Sequence, residues 1–153
     1  MKTRMLGAVA ALALLAACSN TDQNAAATGA GGTVRPGSQE DLVANVGDRV
    51  LFAFNSSTIQ ADQRPVLDRQ AGWMGRFPDV RVQVEGHTDE RGTREFNLAL
   101  GQRRANAARD VLVAGGVNGA RIQTISYGKD RPSALGSDEA SWAQNRRAVT
   151  AVQ

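Results

Sequence analysis

An α/β sandwich is the fold class this sequence predicts: β-α-β-α-β-β, a mixed sheet with its helices on one face. Two observations predict it. After Gln39 the apolar residues switch repeatedly between alternation, the period of a strand, and a spacing of three to four, the period of a helix. Composition fits one soluble domain, with 42% hydrophobic and 22% charged residues in a chain of 153 and no internal repeat. Only 5% of the residues are aromatic, so the core must lean on Val, Leu, Ile and Ala.

The elements follow in order. DRVLFAFNSS, from Asp48 to Ser57, alternates Val50, Phe52 and Phe54 with Leu51 and Ala53, a strand apolar on both faces that Asn55-Ser56-Ser57 ends. Between Ala61 and Phe77, the residues Val66, Leu67, Gln70, Trp73, Met74 and Phe77 recur at helical spacing. Pro65 suits the first turn of that helix and Pro78 stops it. VRVQVEG, from Val80 to Gly86, sets Val80, Val82 and Val84 against Arg81, Gln83 and Glu85, a half-buried strand. A long helix then runs past Leu112 and closes at Gly115-Gly116. RIQTISYG, Arg121 to Gly128, is a third strand, and Lys129 to about Ala140 reads as a loop. RRAVTAV, Arg146 to Val152, is the last strand, with Ala148, Thr150 and Val152 on one side.

The amino terminus reads as an address. Lys2 and Arg4 precede an apolar run from Met5 to Ala17, a positive segment followed by a short hydrophobic one. The run is too short to span a bilayer, which takes about 20 apolar residues. Leu15-Ala16-Ala17-Cys18 resembles the lipobox of bacterial lipoproteins, in which the chain is cut before the Cys and the Cys is lipidated. That resemblance implies a lipid anchor at Cys18 and, with Ser19 rather than Asp next to it, the outer membrane. Ser19 to Ser38 is Ala, Gly, Ser, Thr and Asn with almost no large apolar residue, a flexible tether by composition. The expected organisation is a signal peptide over 1–17, a linker over 18–40 and one domain over 41–153.

The formal charge of +3 falls once Lys2 and Arg4 are removed, leaving 16 basic against 15 acidic residues. That balance provides no electrostatic footprint for nucleic acid. A lone Cys makes no internal disulfide, and a lone His without a Cys partner makes a metal site unexpected. No cofactor is expected either, because Gly86 to Gly92 lacks the Lys-Ser/Thr that completes a phosphate loop.

One feature conflicts with a simple amphipathic helix. At about 100° per residue, Asn97 and Arg104 fall in the middle of the apolar arc formed by Phe96, Leu100, Val111, Ala108 and Leu112. They are seven residues apart and so lie on one line, two turns apart. A buried charge without a partner is very costly. Glu85, Asp89 or Asp110 could supply an internal partner, a ligand could, or the helix end could protrude into water. Asp89, in the turn GHTDERG, sharpens the ligand reading. An acid in the loop and an arginine in the helix suit opposite ends of a zwitterion: Arg104 takes a carboxylate bidentately, Asp89 takes an ammonium, and Asn97 can read either.

VEGHTDERGTREFNLALGQRRANAARDVL, from Val84 to Leu112, is similar to the OmpA-like peptidoglycan-binding domain family. With the lipobox, the chain resembles the lipoproteins of the Tol–Pal system that carry this domain, over roughly Val50 to Val152. The resemblance implies a non-enzymatic outer-membrane protein facing the periplasm. It would bind the diaminopimelate of peptidoglycan stem peptides, tether membrane to wall and support constriction at cell division. It would also meet the Tol system's periplasmic propeller protein on an overlapping surface. It maps the ammonium and carboxylate contacts onto Asp89 and Arg104, and supporting positions onto Thr88, Asn97 and Arg147. Phe54 and Asn55 would line the same pocket from the first strand end. Two residues depart from the family pattern: Asn55 stands where an acid is frequent, and Gly101 where a serine is.

Other constellations are weaker. His87 with Glu85 and Asp89 raises the rival reading of a wall hydrolase or amidase, but no positioned nucleophile accompanies them, so His87 is expected to be structural or hydrogen-bonding. A structural lipoprotein with Arg104 paired internally is the other rival. Arg103 and Arg146, first members of two Arg-Arg pairs, are expected to be solvated. Trp73 reads as core, and Trp142 as a surface position suited to a partner.

Overall fold

The computed structural model describes residues 33–153. The expected signal peptide, Cys18 and most of the expected linker lie outside the described residues. The elements are α1 (Gln39–Asn45), β1 (Arg49–Leu51), α2 (Arg64–Arg76), β2 (Val82–His87), α3 (Arg94–Ala114), a 3-10 turn (Gly119–Arg121), β3 (Ile122–Gly128), α4 (Glu139–Asn145) and β4 (Arg147–Val152). The sheet order is β1-β4-β2-β3. β2 and β3 are parallel, with α3 as their crossover, and β4 inserts antiparallel between β1 and β2. The sheet is therefore mixed, as the sequence predicts.

The core lies between the sheet and helices α2 and α3. Val50, Val82, Val84, Ile122 and Ala148 from the strands meet Leu67, Trp73, Met74, Ala105, Ala108 and Leu112 from the helices. Gln70, at a core-facing position of α2, has a hydrogen bond at each polar atom of its side chain. Its amide donates to the Gly47 carbonyl at 2.8 Å, and its oxygen accepts from Thr150 Oγ1 at 2.8 Å. The expected Gly115-Gly116 signal sets the C-terminal end of the long helix. Thr93 caps the start of α3, accepting from the Phe96 N–H at 3.3 Å.

α3 lies unusually close to β2. A Cβ on Gly86 would overlap the main-chain oxygen of Gly101, and a Cβ on Gly101 would meet Ser126 Oγ and sit 2.9 Å from the Gly86 oxygen. The glycine at 101, a departure from the family pattern, thus lets two backbones touch. It also fixes the height of α3 over the end of β2.

Three elements differ from expectation. β1 pairs over Arg49–Leu51 alone, against an expected strand from Asp48 to Ser57. It is an edge strand with one neighbour. Val50 and Phe52 are buried, whereas Leu51 and Phe54 are exposed, Phe54 by 59%. After Phe52, whose N–H still donates to the Arg146 carbonyl at 2.9 Å, the chain leaves the sheet and turns at Asn55. α1 begins at Gln39, inside the stretch expected as linker. Ser38 caps it, Leu42 is buried, and Asp41 accepts from Trp73 Nε1 at 2.9 Å. α4, capped by Asp138, follows the expected loop and carries Trp142.

Candidate functional site

The long helix does bury its polar pair. Arg104 is 0% and Asn97 is 1% exposed. No carboxylate among the described residues pairs with Arg104. Its guanidinium instead donates to three main-chain carbonyls: Nε to Ser56 at 2.8 Å, Nη1 to His87 at 2.8 Å and Nη2 to Ala53 at 3.1 Å. The end of β2 and the turn after β1 thus hold one face of it, and the Phe52 ring lies 5.1 Å from its central carbon. Burial pushes its pKa down to about 10, with the Asp89 charge pulling the other way, so it remains a cation at neutral pH. The internal ion pair with Glu85, Asp89 or Asp110 is absent among the described residues, and the pair is not simply wet.

A cleft of about 250 Å³ opens beside this guanidinium. It is lined by Phe54, Asn55, Thr88, Asp89, Arg91, Gly92, Phe96, Asn97, Leu100 and Arg104. Six of the seven positions expected from the sequence therefore meet here. Thr88 anchors the loop after β2, its N–H donating to the Gly128 carbonyl at 2.9 Å and its hydroxyl to the Asp89 carbonyl at 3.1 Å. Asn97 uses both amide hydrogens on that loop, donating to the Arg91 and Thr93 carbonyls at 2.9 Å each. That leaves Asn97 Oδ1 without a donor among the described residues, so toward a ligand it can only accept. Asn55 sits at φ 51°, the only non-glycine residue in the left-handed region among those described. Asn tolerates that conformation better than most residues, which gives its presence a backbone reason.

Asp89 is 4% exposed. Burial alone would raise its pKa, but hydrogen bonds from Arg91 outweigh it and hold the carboxyl below its ordinary value. Arg91 Nη2 lies 2.6 Å from Oδ2, and the Arg91 main-chain N–H donates to Oδ1 at 3.1 Å. The Arg91 guanidinium is also stacked between two rings, 3.9 Å from the centre of Phe54 and 4.1 Å from that of Trp142. Glu90 accepts from the Trp142 Nε1 at 2.9 Å.

Arg147 does not reach the cleft. Ala148 and Thr150 face the helices, so Arg147 faces the opposite side of the sheet and donates to the Asn145 and Arg131 carbonyls. Arg146 takes the inner position. It is buried, contrary to the expectation of solvation, and donates to the Phe52 carbonyl at 3.0 Å and to Glu139 at 2.6 Å. Its Nη1 lies 3.5 Å from Asp89 Oδ2. The alternation that turns Ala148, Thr150 and Val152 inward already assigns Arg146 to their side. Arg91 was missed as a site residue, although it stands two positions after Asp89 in the same turn.

His87 is buried, and neither ring nitrogen has a hydrogen-bond partner among the described residues. The expected hydrogen-bonding role is therefore not seen in its ring; its main-chain oxygen holds Arg104. Desolvation, with the Arg147 and Arg131 cations adding to it, pushes the imidazole pKa down to about 4. Trp73 is core, as expected, and Trp142 is half-buried beside the cleft.

Comparison with known proteins follows the same residues. The profile of the OmpA family matches residues 51–146. A peptidoglycan-associated lipoprotein of Rhizobium meliloti is 52% identical over 151 residues, covering 97% of this chain and 86% of the relative. Another, from Agrobacterium fabrum, is 54% identical over 124 residues, covering 81% and 70%. A crystal structure of the peptidoglycan-associated lipoprotein from Burkholderia pseudomallei superposes with a TM-score of 0.69 at 42% identity, over 74% of this chain and 100% of that one. By profile, sequence and fold, this chain belongs to the OmpA family, among its peptidoglycan-associated lipoproteins.

Proposed function

We propose that this protein is a non-enzymatic tether, lipid-anchored through Cys18 in the outer membrane, whose periplasmic domain grips the diaminopimelate of peptidoglycan stem peptides. The observation that carries this reading is Arg104. A fully buried arginine held only by carbonyls has hydrogen bonds but, among the described residues, no carboxylate within ion-pair distance. A carboxylate entering the cleft supplies that partner where little water competes, which favours a strong charge-assisted bond. Asp89 and Asn97 Oδ1, which both line the cleft, suit the ammonium of the same amino-acid end. The apolar sides of Phe54, Phe96 and Leu100 suit the methylenes behind it.

By the family's pattern the protein works in the Tol–Pal system, meeting the periplasmic propeller protein on an overlapping surface and supporting envelope constriction at division. A non-covalent grip fits that role, since the wall contact can break and re-form. The hydrolase reading has less to support it. His87 is 2% exposed, and the cleft-lining residues do not include it.

Sedimentation of the detergent-solubilised full chain with isolated peptidoglycan tests the reading. Wild type is expected in the pellet. Arg104→Lys keeps the charge but loses the fork, and Asp89→Asn loses the acid; each should weaken retention by ~10- to 100-fold while the protein stays folded. Equal retention of the folded Arg104→Lys variant would sink the clamp.

A further inference from the structure

The reading above assigns Asp89 to an ammonium, yet in this structure another cation already occupies it. The Arg91 guanidinium lies 2.6 Å from Asp89 Oδ2 and is sandwiched between Phe54 and Trp142. The Arg104 end has no such occupant. The two ends of the cleft therefore ask different things of a ligand. A carboxylate finds a guanidinium with no carboxylate in ion-pair contact among the described residues, whereas an ammonium must first replace a cation that has an acid and two rings for partners.

We infer that Arg91 is a built-in competitor at the amine seat: it sets an affinity threshold that ligands offering an amine alone do not reach and that those also bringing a carboxylate to Arg104 do. The inference rests on the tether reading. Its logic is an exchange. An amine-only ligand swaps one cation for another at Asp89 and gives up the stacking on Phe54 and Trp142, so it gains little. A zwitterion makes the same swap but adds the bond to Arg104. Arg91 can also leave, because it is 31% exposed and belongs to a loop that Gly92 bends through φ 94°. Stem peptides with lysine at the third position present an ammonium alone, and those with diaminopimelate present both groups. The competitor thus separates the two wall chemistries by raising the threshold for the amine rather than by steric exclusion.

Calorimetric titration of the detergent-solubilised full chain with free meso-diaminopimelate and with cadaverine tests this. Wild type should bind diaminopimelate and leave cadaverine unbound in the same range. In Arg91→Ala both ligands should bind ~10-fold or more tighter, by a similar factor, so that cadaverine comes into the measurable range, and Arg91→Lys, which keeps a cation in the loop, should undo part of that gain. Unchanged affinity for both ligands in folded Arg91→Ala, with diaminopimelate binding still lost in Arg104→Lys, overturns the role of Arg91 and leaves the tether reading standing. Loss of diaminopimelate binding in folded Arg91→Ala overturns it too, since a competitor's removal cannot weaken the ligand it opposes. Wild type that binds no diaminopimelate overturns both.

Discussion

Two arginines in this domain are each held by three main-chain carbonyls, and they do different work. Arg121 donates to Val80 at 2.8 Å, Met74 at 3.0 Å and Phe77 at 2.7 Å, tying the end of α2 to the start of β3. Cations are favoured at a helix C-terminus, so this is a structural cap, half-buried and open to water. Arg104 has the same kind of bonds but no exposure and a cleft beside it. Carbonyl partners alone therefore do not mark a binding site. What marks it is a charge carried into the interior with no carboxylate in ion-pair contact, next to space that a ligand can enter.

The contrast can be broken most forcefully at Gly86. Gly86→Ala pushes a methyl group into the Gly101 backbone and lifts α3 from β2, at a cost of about 3 kcal/mol or more in urea unfolding. Any folded fraction should also lose peptidoglycan, because Arg104 moves with α3 while Arg121 does not. Next in size is an effect of acid. His87 holds Arg104 through its carbonyl, and its folded pKa of about 4 lies below the ordinary 6.5. The unfolded chain takes up a proton that the folded one refuses, so stability is full above pH 6.5 and falls as the pH drops toward 4, by about 3 kcal/mol in all. Urea midpoints across that window should lose their slope in His87→Asn. The smallest effect is expected at Arg121. Arg121→Ala should cost about 1–2 kcal/mol, since water reaches the freed carbonyls, and peptidoglycan retention should match wild type. Weakened retention there would erase the distinction between the two arginines.

Much of this was legible in the sequence. Periodicity alone put Asn97 and Arg104 on the buried arc of α3, and the GHTDERG turn put Asp89 beside them. The partners of Arg104 were not legible, because carbonyls carry no residue identity and those of Ala53 and Ser56 lie about fifty positions away. Nor was the exposure of Phe54, since alternation does not say how many neighbours a strand has. The buried Arg146 was readable from the phase of β4, and charge argued against reading it. The pairing of Arg91 with Asp89 depends on a loop that Gly92 bends, a geometry no periodicity records.

The short edge strand has a mechanical consequence. In the tether we propose, tension enters from the amino-terminal side and leaves through the ligand at Arg104. β1 grips β4 at Arg49–Leu51, and five residues later the same stretch offers the Ser56 carbonyl to Arg104. The load then crosses the domain through Arg49 to Ser56 and the adjoining β4. Ahead of that stretch, α1 shares the load with α2, through Asp41 and Trp73 Nε1 at 2.9 Å, and with β4, whose Val152 N–H donates to Gln39 at 2.7 Å. A pull hard enough to strip β1 from the sheet would withdraw the Ala53 and Ser56 carbonyls that steady the guanidinium. The grip on the wall would then loosen from the anchor side, making that strand a mechanical fuse.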